Sequence, residues 1–261
     1  MCGLARWSAL RLATLALVVG GCSTAAPGTA DSGAIGDPDA AAPGPDARPP
    51  ADAAARAPDA TPPDPYRHTI EVDGTSSFTS DESFATTTES YSTYATWDAE
   101  ELYLGYLGAD VAAGDPSKWL LVYLDVGPGG SAVGHQYNTQ TPGFPEGFRA
   151  DYYYRWQSSG GIEDVMEWTG SGWQTSTVTA DSARGGSLLE AQLPLAELGD
   201  PARIGVIVLW INEKDGLEAA YGGLYPDSFI DGYHAAIPIE RYLEIDRLSP
   251  LPPNDLANRR P

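Results

Sequence analysis

Short runs of alternating apolar and polar residues fill most of the chain after residue 66. The clearest group has three runs rich in Tyr, Trp, Leu and Val, at 91–97, 102–107 and 119–126, each bounded by Asp, Gly or Pro. Runs of this length and composition predict β-strands. Residues 98–101 leave room only for a tight turn, so we expect the first two strands to form an antiparallel hairpin.

Two of these runs carry apolar residues on both faces. In a strand, successive side chains point to opposite sides, so Leu102 and Leu104 share one face while Tyr103 lies on the other. In the third run, Leu120 and Leu121 likewise point to opposite faces. Strands that are apolar on both sides belong inside packed layers. The pattern therefore predicts a β-sandwich.

Further strands are expected on both sides of this group, separated by polar or glycine-rich turns. These runs are 68–74, 148–157, 162–169, 173–179, 203–212 and 232–237. The segment 188–198 is expected to be a strand followed by a short helical turn that begins at Pro194 and stops at Gly199. The run 203–212 has the highest content of β-branched residues, which favours a central strand. The segment 127–147 is rich in Gly and Pro and has no periodicity. Long loops of this kind inside compact domains are uncommon and often functional.

The predicted fold class is all-β, an antiparallel sandwich of the jelly-roll or immunoglobulin-like kind spanning 67–245. The proline-rich segment 246–261 has no core pattern and is expected to be a flexible tail. Residues 22–66 consist almost wholly of Ala, Pro, Asp, Gly, Ser and Thr. Such a segment cannot bury enough apolar area to offset the entropy of ordering, so we expect a disordered stalk. At about 3.1 Å per residue it would reach roughly 130 Å.

The first 21 residues predict an export signal. Arg6 and Arg11 precede a short apolar run at 12–19, which is too short to span a bilayer as a permanent helix. The run ends in V-V-G-G-C, which resembles the bacterial lipobox. The resemblance implies that Cys22 is acylated and anchors the protein in the outer membrane or at the cell surface. Stable anchoring needs more than one acyl chain.

Charge and cysteine content narrow the classes of partner. The chain has 36 Asp and Glu against 15 Lys and Arg, a formal charge of −21. This charge argues against nucleic acid as a partner, because phosphate binding needs clustered basic residues. It is consistent either with a solvated acidic surface or with binding of a cation, mainly calcium. Both cysteines, Cys2 and Cys22, precede the predicted domain, so no disulfide is expected inside it.

The order of motifs resembles a known group of domains. An aromatic strand is followed by a W-D turn, an L-Y-L strand, an acidic loop and an apolar strand ending in L-D, and the opening H-T-I-E-V-D-G and the later L-L-E-A-Q-L-P-L-A-E-L fit the same group. Together they resemble the family 9 carbohydrate-binding modules and the wider DOMON-like β-sandwiches. The resemblance implies a non-catalytic domain that binds extracellular polysaccharide, with structural calcium. Some DOMON relatives hold haem through Met and His, but the spacing of Met166 does not favour this role.

Aromatic side chains are the candidate ligand contacts, because sugar rings stack their apolar faces on Trp and Tyr. Three tryptophans are flanked by Ser, Lys, Gly or Thr and are expected to be exposed, whereas Trp97 and Trp210 lie in apolar runs and are expected in the core. The candidates are Trp119, Trp168, Trp173, Tyr153 and Tyr225. The alternative for each is packing at a strand edge.

Three aspartates at the ends of predicted strands are candidate calcium ligands: Asp73, Asp98 and Asp125. Carboxylate oxygens suit a hard cation of this kind. The alternative is that each caps a turn by accepting hydrogen bonds from backbone amides.

No catalytic motif is present in the sequence. It lacks G-x-S-x-G, H-E-x-x-H, a P-loop and C-x-x-C. We therefore expect a protein that is not an enzyme and binds extracellular carbohydrate. One alternative is a scaffold that docks another envelope protein and binds no sugar. A less favoured alternative is a hydrolase, whose paired carboxylates would come from Asp125, Asp151, Glu163, Asp164 and Glu190.

Overall fold

The computed structural model describes residues 61–214 and 216–261, which lie within one compact unit, Asp59–Pro261. The predicted signal peptide 1–21, the predicted lipid anchor at Cys22 and most of the predicted stalk 22–66 lie outside the described residues. Within the described residues, one short α-helix, α1, spans Ala109–Ala113, and two 3-10 helices span Ser80–Glu82 and Leu256–Asn258. The strands are β1 (Ser83–Ala85), β2 (Ser92–Trp97), β3 (Glu101–Leu107), β4 (Lys118–Asp125), β5 (Thr141–Gly143), β6 (Tyr152–Gln157), β7 (Glu163–Trp168), β8 (Trp173–Thr175), β9 (Asp181–Gly185), β10 (Leu188–Pro194), β11 (Arg203–Asn212), β12 (Ala219–Tyr221), β13 (Ala236–Pro238), β14 (Tyr242–Asp246) and β15 (Arg259–Arg260).

Two antiparallel sheets pack face to face, which confirms the predicted β-sandwich. The smaller sheet has the order β1-β2-β3-β10-β9. The larger sheet has the order β15-β14-β11-β4-β6-β7-β8, and β12 also pairs with β11. A separate pair, β5 and β13, is parallel. The predicted hairpin is β2 and β3, and the β-branched run 203–212 is β11, which lies between β14 and β4.

The larger sheet is buried on both faces, as the pattern of β4 predicts. Its inner face, which we define as the side toward the smaller sheet, packs Leu120, Val122 and Trp210 into the main core. Its outer face, the opposite side, carries a second core that includes Leu121 and Tyr123. The residues that cover the outer face come mainly from the irregular segments 126–151 and 222–241.

The segment 68–74 is not a strand, so that prediction is corrected. The backbone N–H of His68 donates to the carbonyl of Trp97, and Ile70 is buried, but no ladder continues from there. The expected turn at Asp73 and Gly74 is present, with Gly74 at a φ of +83°. The backbone N–H groups of both turn residues donate to the Glu190 carboxylate. A side chain thus takes the place of a strand partner.

The tail also needs correction, because 246–261 is not loose. Strand β14 reaches Asp246 and pairs with β11, and β15 pairs with β14. Asn258 is buried, and its side-chain amide donates to the carbonyls of Pro252 and Pro253. The guanidinium of Arg260 binds Glu244. These backbone pairings and polar contacts replace the apolar pattern that the tail lacks.

The sequence predicts the last strand at 232–237, but two further strands, β14 and β15, follow it in the structure. The C-terminal part of 232–237 belongs to β13, which pairs with β5 above the outer face instead of joining either main sheet. Ile237 is fully buried there and belongs to the second core. The chain then continues into β14 and β15, which extend the larger sheet.

Candidate functional site

The outer face of the larger sheet brings together four of the five aromatic residues that the sequence nominates. Trp119 lies on β4, Tyr153 on β6, Trp168 on β7 and Trp173 on β8. The ring centroids of Tyr153 and Trp173 are 4.8 Å apart, and those of Trp168 and Trp173 are 5.4 Å apart. The alternation of side chains along each strand places these rings on one side of the sheet.

Trp119 and Tyr153 are buried, so the expectation that Trp119 is exposed is wrong. Trp119 is 7 % exposed and Tyr153 is 0 % exposed. The indole N–H of Trp119 donates to Glu213 at 2.6 Å, and its ring packs against Tyr137 at a centroid distance of 5.4 Å. The segment 127–147 lies over this part of the sheet. Neither ring offers a free face to solvent.

Trp168 and Trp173 are partly exposed and form a ridge at the open end of the outer face. They are direct partners in the register of β7 and β8. Their ring planes meet at 61°. Because β8 is the edge strand of the larger sheet, the ridge lies at the margin of the covered region. These two rings are the nominated residues that remain available for stacking.

Tyr225 lies apart from the other four and packs against the main core. The guanidinium carbon of Arg259 lies 4.9 Å from the centre of its ring, and the ring of Phe84 meets it edge-on at 5.8 Å. Burial raises the pKa of the Tyr225 hydroxyl. Because an arginine and a phenylalanine already cover this ring, we assign Tyr225 a packing role.

An ion pair lies beside the ridge on the same face. Arg155 and Asp164 are direct partners across β6 and β7, and the guanidinium donates Nε to Oδ1 at 2.5 Å and Nη2 to Oδ2 at 2.8 Å. Both side chains are partly exposed. The hydrogen bond to Asp164 raises the pKa of Arg155, so it stays charged. Arg155 is not among the residues nominated from the sequence. Its pairing with Asp164 follows only once the register of β6 and β7 is known.

His135 is a further residue that the sequence did not nominate. Its imidazole lies nearly parallel to the ring of Tyr153, with centroids 6.0 Å apart and planes at 17°, and meets the ring of Tyr137 edge-on at 5.2 Å. Burial lowers the pKa of His135, and the charge of Arg155 lowers it further. The ring is therefore neutral at pH 7 and offers one donor and one acceptor. Its position in an aperiodic loop left no signal in the sequence.

Asp98 has the structural role that the turn-capping alternative describes. Its Oδ1 accepts from the backbone N–H groups of Glu100 and Glu101, at 3.0 and 2.9 Å. Its Oδ2 accepts from the hydroxyls of Thr69 and Tyr103, both at 2.8 Å. Burial acts to raise the pKa of Asp98, but these hydrogen bonds outweigh it and lower the pKa. The carboxylate fixes the turn of the first hairpin.

The other two nominated aspartates also bind backbone amides. Asp73 accepts from the backbone N–H of Thr75 at 2.7 Å, and Asp125 accepts from that of Arg149 at 2.7 Å. Asp125 also lines a cleft of about 420 Å³ together with Glu244. Across 61–214 and 216–261, no three Asp, Glu, His or Cys side chains form a group that could hold a metal ion. The calcium site stays a prediction.

Two further findings bear on the function of the chain. In the part of the chain that the structure describes, no helix has the length and apolar content needed to cross a bilayer. No protein-family model, curated protein or solved structure matches this chain.

Proposed function

We propose that the domain binds carbohydrate without catalysis, on the open part of the outer face. The observation that carries this proposal is the pair of partly exposed rings, Trp168 and Trp173, beside the partly exposed ion pair of Arg155 and Asp164. Asp164 and Trp168 are four residues apart on one face of β7, which corresponds to about 13 Å. This length is comparable to that of a disaccharide.

The chemistry of these groups suits a sugar. The apolar face of a pyranose ring stacks on an indole, and its hydroxyls need donors and acceptors around the rim. Asp164 supplies acceptors, Arg155 supplies donors, and neutral His135 supplies one of each. Because the side chains of Arg155 and Asp164 fix each other, these groups need little reorganisation when a ligand arrives.

The binding test uses the full chain and two variants of the ridge. Trp168→Ala and Trp173→Ala should each weaken binding to a responsive glycan by tenfold or more, because each removes a stacking surface of about 1–2 kcal/mol. Affinity electrophoresis against immobilised xylan, β-glucan, α-glucan and chitin identifies the glycan, and titration calorimetry measures the affinity.

The matched control is Tyr94→Ala. Tyr94 is also a partly buried ring, but it lies on the smaller sheet, stacked on Phe78 at 5.1 Å. Its removal should leave glycan affinity unchanged. If the wild-type chain binds none of the four glycans, and a pull-down instead recovers a specific envelope protein, the scaffold alternative replaces carbohydrate binding.

We further propose that Cys22 carries the lipid that holds the domain at a membrane. The support is the lipobox-like sequence V-V-G-G-C after a short apolar run. Cys22→Ala should abolish metabolic labelling with palmitate and release the protein from the membrane fraction. Cys2→Ala is the control and should leave both unchanged. Continued membrane association of the Cys22→Ala chain refutes the anchor.

A further inference from the structure

Three tyrosine hydroxyls on the outer face form no hydrogen bond of good geometry with any described residue: those of Tyr123, Tyr137 and Tyr153. The residues are 0 %, 4 % and 0 % exposed. The side-chain nitrogen of Gln140, which is also fully buried, lacks a partner as well. Buried polar groups are normally hydrogen-bonded, so several orphan groups in one place call for an explanation.

These residues form one connected cluster. The ring centroids of Tyr123 and Tyr153 are 5.2 Å apart, and the imidazole of His135 bridges Tyr153 and Tyr137 at 6.0 and 5.2 Å. The cluster touches the proposed ridge, because Trp173 lies 4.8 Å from Tyr153. The orphan hydroxyls therefore extend the proposed sugar site under the covering segment.

The covering segment 132–144, here called the flap, is bonded mainly to itself and to its neighbour at 235–239. Its internal backbone bonds join Gly134 to Pro142, Phe144 to Ala132, and Tyr137 to Gln140 in both directions. Other hydrogen bonds of the flap run to residues outside the larger sheet, namely Glu218, Tyr233 and His234.

The flap therefore contacts the sheet mainly through packing. A Cβ built at Gly134 would lie 2.5 Å from the Tyr123 hydroxyl oxygen, so the flap backbone approaches the phenol closely at this residue. The backbone of His135 also lies close to this hydroxyl, yet the hydroxyl forms no hydrogen bond of good geometry with any described residue. A contact that buries hydroxyls without bonding them is weak for its area.

We propose that the flap lifts to admit a neutral oligosaccharide and closes over it, with the hydroxyls of Tyr123, Tyr137 and Tyr153 bonding to sugar hydroxyls. This inference rests on the proposed function and extends it to the class of sugar. Phenols donate and accept, which matches sugar hydroxyls. A neutral sugar is expected because Asp164 already compensates the charge of Arg155, the guanidinium beside the cluster.

Substitution of tyrosine by phenylalanine gives two readouts that a merely structural hydroxyl would not combine. Tyr137→Phe and Tyr153→Phe each delete an orphan hydroxyl, so the unliganded chain should melt at the same or a higher temperature. In the liganded state the same changes remove a bond to sugar, so affinity should fall.

The matched control is Tyr106→Phe. Tyr106 is 2 % exposed, but its hydroxyl donates to the carbonyl of Gly222 at 2.9 Å. Its removal should lower the melting temperature and leave affinity unchanged. Tyr106→Phe is thus expected to lower stability without a change in affinity, whereas Tyr137→Phe and Tyr153→Phe are expected to lower affinity without a loss of stability.

The experiment measures melting and calorimetric affinity of the full chain with xylohexaose, cellohexaose, maltohexaose, chitohexaose and, as the anionic probe, an oligogalacturonate. We expect binding of at least one neutral probe, no binding of the oligogalacturonate, and a tenfold or greater loss of affinity in Tyr137→Phe and Tyr153→Phe without loss of stability. If both variants keep wild-type affinity while Trp173→Ala loses it, the flap inference fails and carbohydrate binding stands. A lower melting temperature in both variants, or tighter binding of the oligogalacturonate, also overturns the inference. If no probe binds the wild type, both proposals fail.

Discussion

The two faces of the larger sheet are buried in different ways. The inner face meets a second regular sheet and is packed largely with aliphatic side chains and tryptophan. The outer face meets irregular segments and is packed with a higher proportion of aromatic rings. Tyrosines show the difference: on the inner side, Tyr106 donates to Gly222 and Tyr154 donates to Glu163, whereas the hydroxyls of Tyr123 and Tyr153 on the outer side form no hydrogen bond of good geometry with any described residue.

This difference shows which face contributes more to the stability of the fold and which face can gain more from binding a ligand. Two regular sheets interdigitate along their whole length, so their packing is dense and repeated. An irregular cover makes fewer such contacts. Unpaired buried polar atoms occur on both sides, among them the indole nitrogens of Trp97 and Trp210 in the main core. We infer that the inner face supplies most of the stability and that the outer face is where a ligand gains the most.

The largest effect should come from truncation of a tryptophan on the inner face. Trp210 is 0 % exposed and packs against Tyr106 and Trp156 at centroid distances of 5.4 and 6.2 Å. Trp210→Ala should lower the free energy of unfolding by about 3–5 kcal/mol, since it leaves a cavity. Trp173→Ala on the outer face should cost only about 1 kcal/mol. Urea denaturation measures both, and equal losses would refute the division of roles.

The strand pattern predicts this architecture well where packing is regular. In β4, the apolar residues from Leu120 to Leu124 alternate between the two sides of the strand, with Leu121 and Tyr123 on the outer side. This period-2 pattern shows that both faces of β4 are covered. The run 203–212 coincides with β11 because β-branched residues fit a pleated, buried strand. In these places local preference and burial agree.

The site is less predictable because its key residues come from aperiodic chain. His135 and Tyr137 lie in a Gly- and Pro-rich loop, and nothing in the local pattern shows which strand they contact. Trp119 has polar neighbours along the chain and yet is buried, because the flap that covers it is remote in sequence. The prediction of a flexible tail at 246–261 is wrong for a similar reason. The order of this segment comes from the pairing of β15 with β14 and from the buried Asn258.

A smaller effect concerns pH and the carboxyl groups at the end of the outer face. Burial raises the pKa of Asp125 and of Asp151 above the usual value for aspartate. The folded state therefore binds these protons more readily than the unfolded state, and stability should rise as pH falls from 7 through the folded pKa values. Asp98 acts in the opposite sense, because its pKa is lowered in the folded state. Its contribution to the free energy of unfolding is present above pH 3.8 and is lost as the pH falls through its folded pKa.

The melting temperature should thus rise on moderate acidification and fall again once Asp98 is protonated. Differential scanning calorimetry from pH 7 downward measures the curve. Asp125→Asn and Asp151→Asn should each flatten the rise. A melting temperature that only falls from pH 7 would show that these two carboxyls do not control the acid response.

The most direct test of the central claim follows the indole N–H signals of the tryptophans by NMR while a binding neutral oligosaccharide is added. Binding on the open outer face should shift the signals of Trp168 and Trp173, which are partly exposed. The signals of Trp97 and Trp210, buried in the main core, should stay in place. Saturable binding that leaves Trp168 and Trp173 unmoved would contradict the account.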